Sequence, residues 1–195
     1  MEGAGDGEGS LSALTLVPPS VDRLAPYAAA LERGWSPNTT RDVSGVQLAA
    51  LRDDADAFIA DLARQEGGSI TLANGTVVPR LPGPVLWMWD DTFCGAINLR
   101  FERGTEELPP HVAGHVGYAV VPWKQRRSYA TRALALLLPI AHANGLKRVQ
   151  ITTDDDNVAS QKVILANGGV PAGCKPDADT GKMKLLFRVP TRQLR

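Results

Sequence analysis

Val120-Val-Pro-Trp-Lys-Gln125-Arg-Arg-Ser-Tyr-Ala130-Thr131 decides the reading of this chain. The segment leaves an apolar run, Gly114–Val121, turns at Pro122 and opens a long helical stretch, Ser128–Asn144, with Gly145 as its stop. The first N–H groups of a helix lack intrahelical acceptors and lie at the positive end of its dipole. Small residues there, Ser128 and Ala130, let an anion approach the main chain, and Lys124, Arg126 and Arg127 add positive charge beside it. That combination suits a pyrophosphate group. A basic, solvated helix start accounts for the same residues, so the segment has to be weighed in its surroundings.

Downstream, Arg148–Thr153 reads as a strand and Asn157–Asn167 as a helix ended by Gly168-Gly169. A short strand starts at Val170 and a last one covers Met183–Val189. Gly114 to Thr153 is thus a strand–helix–strand crossover, which places two strands parallel. Upstream lie two hairpins. Ile70–Leu72 and Thr76–Val78 flank Asn74-Gly75; Val85–Trp89 and Phe93–Phe101 flank Asp90-Asp91. Further back, a short strand at Leu14–Val17 precedes a helix from Ser20 to Glu32, kinked or delayed by Pro26. Apolar residues at helical spacing predict one helix over Ser44–Gln65. The fold class is α/β, with a mixed, mostly antiparallel twisted sheet of about six or seven strands and about four helices. Ligands in such sheets sit where neighbouring strand ends diverge, which points to the turn after Val121.

Composition bounds the rest. The chain has 195 residues and 20.8 kDa, enough for one domain, with 44% hydrophobic and 22% charged residues. Residues 1–10 are acidic and Gly-rich and predict a disordered tail rather than a signal peptide; 11–195 form the expected single domain. Lys+Arg and Asp+Glu both number 21, so nothing suggests a nucleic-acid partner. The longest apolar run, Ala133–Ala141, contains Pro139 and is too short for a membrane span. Cys94 and Cys174 form neither a disulfide framework nor a metal motif, which points to the cytoplasm and to no metal.

Val120-x-Pro122-x-x-Gln125-x-x-Ser128-x-Ala130 resembles the acetyl-CoA motif of the GNAT (GCN5-related N-acetyltransferase) superfamily, V-x-P-x-x-R/Q-x-x-G-x-G/A. The following pieces keep the family's order: a long helix, the strand Arg148–Thr153, Asn157-x-x-Ser160 and Gly168-Gly169. The strand Gly114–Val120 resembles the family's fourth. Val78-Pro-Arg80 and Gly95–Arg100 resemble a bacterial subgroup of predicted acetyltransferases. The likeness is close over residues 70–175, with the acetyl-CoA core at 85–175. It implies that the family's fourth and fifth strands splay, with the pantetheine arm lying between them against Ala119, Val120 and Val121. The N–H near Val120 would face the thioester oxygen. The amides from Gln125 through Arg126, Arg127, Ser128, Tyr129, Ala130 and Thr131 would hold the pyrophosphate. Asn157 would bond the pantetheine, and Ser160 would lie near the thiol. The implied reaction is direct attack by a primary amine, of a small molecule or peptide, on the acetyl thioester. The other reading is a weak or inactive CoA-binding module of the same fold.

Three departures bear on that choice. Ser128 stands where the motif has Gly. If its φ is positive the substitution costs about 1 kcal/mol; if the loop is right-handed there, nothing is lost. Ile164 occupies the place of a Tyr that protonates the departing thiolate in many members, which leaves Ser160 as the acid. The aromatic after Gly168-Gly169 is missing.

Further candidates carry two readings each. His115, before the splay, is either the base that accepts the amine's proton or a structural strand histidine. His111 lies four residues earlier, but Pro109-Pro110 argues against a helix presenting the pair to a metal. His142 reads as a surface residue. Glu102, Glu106 and Glu107 either hold a cationic amine or form a solvated loop, and Asp154–Asp156 reads as helix capping. Trp87 and Trp89 share one strand face, as core or as acceptor-pocket wall. Tyr118 and Tyr129 read as packing. Leu185-Leu186-Phe187 is the basis for a possible homodimer.

Overall fold

The computed structural model describes residues 13–72, 74–177 and 180–192; the tail expected over residues 1–10 lies outside them. From the N-terminal side come β1 (Thr15–Val17), a 3-10 turn at Val21–Arg23, α1 (Leu24–Glu32), α2 (Ser44–Asp53) and α3 (Ala55–Ala63). A hairpin of β2 (Ser69–Thr71) and β3 (Val77–Pro79) follows, then β4 (Val85–Trp89), β5 (Phe93–Leu99) and β6 (Val116–Val120). After a 3-10 turn at Pro122–Lys124 come α4 (Tyr129–Ala143), β7 (Arg148–Thr153), α5 (Val158–Ala166), β8 (Val170–Pro176) and β9 (Met183–Pro190).

The strands form two main sheets, ordered β1-β4-β5-β6 and β7-β9-β8, with β2-β3 apart. Among the described residues every strand pairing is antiparallel, and the crossover β6–α4–β7 joins the two main sheets. The expected class holds, with seven strands in the two main sheets. The helix predicted over 44–65 is two helices. Asp54 is extended (φ −152°, ψ 100°) and its carboxylate accepts the Ala57 N–H at 2.9 Å, so it caps α3. Pro26 falls in the first turn of α1, where its missing N–H is not needed. Pro139 stands exposed in α4, which runs through it.

Alternation along the strands divides two cores. Ile97, Leu99 and Val116 face α4, whose Ala133, Leu134, Leu137, Leu138 and Ala141 recur at helical spacing and are all buried. The opposite face carries Trp87, Phe93 and Ala96 under α1–α3, with the Tyr27 ring stacked on Trp87 at 4.8 Å between centroids. Trp87 is therefore core. Phe187 is buried and Leu185 and Leu186 are half-buried.

Candidate functional site

Where β6 and β7 meet, they touch once and then part. The His115 N–H donates to the Gln150 carbonyl at 2.8 Å. The Gln150 N–H donates at 3.0 Å not to a carbonyl but to Nδ1 of the His115 ring. A side chain thus replaces the next rung, and the ladder stops. Gly114 permits this approach, because a Cβ there would stand 2.9 Å from the Gln150 oxygen. Beyond it, among the described residues, β6 pairs only with β5 and β7 only with β9. The Arg100 N–H bonds the His115 carbonyl and the Val121 N–H bonds the Cys94 carbonyl. With the β5–β6 register, those bonds turn the main chains of Gly117 and Ala119 toward β5. The main-chain groups of Tyr118 and Val120 therefore face the gap, and Gln125 Nε2 donates to the Val120 carbonyl at 3.4 Å.

His115 is wholly buried. Its Nδ1 accepts a main-chain N–H, which puts the ring proton on Nε2, and Nε2 has no partner among the described residues. Burial, then the Arg100 charge, pushes its pKa down to about 4, so the ring is neutral at physiological pH.

Past the gap the chain makes two left-handed steps, Arg126 (φ 64°) and Ser128 (φ 58°), before α4 begins. Ser128 thus holds the conformation for which the motif's glycine is suited, and its hydroxyl caps nothing. Arg126 and Arg127 are exposed beside the helix start. Lys124 and Tyr129 turn inward instead. Both donate to the Asp90 carboxylate at the end of β4, and Lys124 Nζ also lies 3.5 Å from Cys94 Sγ. Burial alone would raise the Asp90 pKa, but hydrogen bonds from Cys94, Lys124 and Tyr129 outweigh it and hold the carboxyl below its usual value. This cluster fixes the turn to the β4–β5 hairpin. Only the main chain of Tyr129 is left for a ligand, and Lys124 is neutralised rather than offered to an anion. Outside, Arg33 stacks on the Trp123 ring, tying α1 to the same turn.

Ser160, in the first turn of α5, meets Tyr118 from β6: the two hydroxyl oxygens are 2.8 Å apart, and burial raises the Tyr118 pKa. Tyr118, a polar-tipped candidate whose other reading is packing, finds its hydroxyl partner 42 residues away, where no local signal points. Asn157 caps α5, its Oδ1 accepting the Ser160 N–H at 3.0 Å, so its Nδ2 is the group left for a ligand. Ile164 is buried against Gly169 and puts no acid near the fork.

The remaining candidates divide. Glu106 is spent on β7, accepting from the Lys147 N–H at 2.9 Å and from Arg148 at 3.3 Å. Asp154 pairs with Lys184 at 3.5 Å. His142 joins Thr191 and Arg192. His111 lines a cavity with Arg100 and Asn98. Among the described residues, no group of three or more His, Cys, Asp or Glu side chains is placed to share a metal ion, and no helix is long and apolar enough to cross a membrane.

No curated protein matches the chain. Solved structures do. RimJ of Mycobacterium smegmatis, with a CoA disulfide, matches at a TM-score of 0.63 and 19% identity, covering 92% of this chain and 83% of that one. The microcin C7 self-immunity acetyltransferase MccE, with acetyl-CoA and AMP, gives 0.59 and 14%, covering 91% and 92%. The ribosomal-protein alpha-N-acetyltransferase RimL, with coenzyme A, gives 0.59 and 12%, covering 94% and 98%. At such identities these likenesses speak for the fold. The family model described as "Acetyltransferase (GNAT) domain" matches residues 14–170. A parted pair of strands, a left-handed turn of amides at a helix start and that match over most of the chain agree: the protein belongs to the GNAT acetyltransferase family.

Proposed function

We propose that the protein transfers the acetyl group of acetyl-CoA to a primary amine of a small molecule or peptide, by direct attack, in the cytoplasm. The observation that carries this is the gap beside β6, where Tyr118 and Val120 present main-chain groups with no strand opposite among the described residues. An extended pantetheine arm can pair there as an added strand would. The residues fit the rest of the molecule: exposed Arg126 and Arg127 and the first amides of α4 suit its diphosphate. Acetyl-CoA supplies an activated acyl group. The protein supplies the Val120 N–H, a fixed donor toward the carbonyl oxygen as negative charge grows on it. Ser160, backed by the Tyr118 hydroxyl, hands a proton toward the departing sulfur. Asn157 reaches the arm through Nδ2, whereas Val121, wholly buried in the core under α1–α3 with its N–H bonded to the Cys94 carbonyl, only backs the strand.

His115 takes a different part. Its Nδ1 is engaged and its ring is neutral, so we assign it to holding the fork open rather than to accepting the amine's proton. The amine then loses its proton to water.

Isothermal titration with acetyl-CoA, followed by thiol release with a panel of amines, tests the reading. Binding together with turnover supports it. Absence of binding at tens of micromolar removes it. Binding with no turnover selects the second reading, a CoA-binding module. The left-handed Ser128 and the buried Ile164 favour that alternative.

A further inference from the structure

Among the described residues, Arg100 is a cation drawn inside the protein with no carboxylate in ion-pair reach. Arg100, just past β5, is half-buried as a residue, and its guanidinium lies deep enough that burial lowers its pKa. Its Nε donates to the Gly114 carbonyl at 2.6 Å. Among the described residues, no carboxylate stands within 4 Å of it, and no acceptor is recorded for its four terminal N–H groups. A buried guanidinium ordinarily has a partner, because an uncompensated charge in a protein interior is costly.

Arg100 is one of the residues lining a cavity of about 170 Å³, room for a small organic group rather than for one or two waters. Arg80, Asn98 and His111 line it as well, and no acidic side chain does. Asn98 already accepts the Gly117 N–H at 3.0 Å, which leaves its amide as a donor. Arg80 is partly answered by Asp61, whose carbonyl it meets at 3.0 Å. The cavity therefore offers donors and positive charge with one clear focus at Arg100.

Its position ties it to the fork. Asn98 stands opposite Gly117 and Ala96 opposite Ala119, on the face of the first sheet turned away from α4. A Cβ on Gly117 would lie 3.8 Å from Arg100 Nη2, so the guanidinium sits at the level of Gly117. Val120 is three residues further along β6, roughly 10 Å at about 3.4 Å per residue.

We infer that the acceptor amine carries a carboxylate several bonds from its nitrogen, and that Arg100 receives this carboxylate in the cavity while the amine reaches the fork beside Val120. The inference rests on the transferase reading above. A guanidinium takes a carboxylate in a bidentate, charge-assisted pair, which orients the acceptor as well as holding it. Arg100 is a specificity residue in this arrangement.

The test uses the whole chain with acetyl-CoA and matched acceptors: 4-aminobutyrate, 6-aminohexanoate and triglycine, each against its primary amide. The acids are expected to show kcat/KM at least about tenfold above the amides, carried mainly by KM, as a charge-assisted bond allows. Arg100→Gln is expected to bring the acid-to-amide ratio of kcat/KM down to about one, whatever it does to the common rate, and Arg100→Lys to restore part of the ratio. Equal turnover of acids and amides by the unaltered protein overturns the charge assignment and leaves the transferase intact. If none of these amines is turned over, titration of the CoA-loaded protein with 6-aminohexanoate and its amide decides, and equal affinities overturn the assignment. Failure to bind acetyl-CoA removes the transferase reading instead. The unaltered protein settles the question even if Arg100→Gln does not fold.

Discussion

Lys124 and Arg100 are both cations drawn into the protein, on either side of His115 in the chain, and they are treated in opposite ways. Lys124 is paired with Asp90 and shares that carboxylate with Tyr129. Arg100 has one main-chain acceptor and a cavity. The paired cation is part of the scaffold: its charge is answered and its length spans from the turn to the β4–β5 hairpin. The unpaired one keeps its donors for something that arrives. Burial therefore does not by itself mark a charge as structural; what decides is whether the fold also brings the countercharge.

Breaking the pair is expected to have the largest effect. Asp90→Ala leaves Lys124 desolvated and alone, and is expected to cost about 3 kcal/mol in urea unfolding. It also unties the turn, so acetyl-CoA affinity falls with it; unchanged stability would place the cluster outside the scaffold. His115 sharpens the contrast, as a buried titratable group that stays neutral instead of finding a counterion. Its pKa drops from 6.5 unfolded to about 4 folded, so the unfolded chain binds more protons between those values. Its contribution is complete above pH 6.5 and lost as pH falls toward 4, about 3 kcal/mol in all. Denaturation curves from pH 7 to 4 are expected to show that loss in the unaltered protein and not in His115→Gln.

Ser128→Gly probes the turn that Lys124 anchors. Removing the left-handed side chain is expected to raise stability by about 1 kcal/mol and to tighten or preserve acetyl-CoA binding. A large loss of affinity would mean that the hydroxyl itself meets the ligand. The smallest effect is expected at Arg100→Met. Losing a desolvated charge offsets losing its bond to Gly114, and the melting free energy should move by less than about 1 kcal/mol. Destabilisation as large as that of Asp90→Ala would erase the distinction drawn between the two cations.

Much of the frame was legible because it is local. The strand 148–153 follows from its own apolar alternation, and Ser128 could be flagged because motif and dipole speak about neighbouring residues. The break at Asp54 was hidden by apolar spacing that continues in phase across it. An aspartate three residues before Ala57 was the available signal. The site's side-chain chemistry was less readable. Asp90 with Lys124 and Tyr118 with Ser160 are 34 and 42 residues apart, and only the folded sheet brings them together. His115 looked like a proton acceptor because its type suits that role. Its burial, and the use of Nδ1 as a substitute rung, depend on Gln150, which no spacing rule connects to it.

The fork has one more effect. Two sheets that meet at a single crossing, with an empty lane between them, gain cohesion when anything lies in that lane. Ligand that binds only the folded form adds to its stability, about 2.7 kcal/mol at a hundred times Kd. Occupancy of the fork by acetyl-CoA is therefore expected to raise the protein's resistance to unfolding and, with it, to proteases.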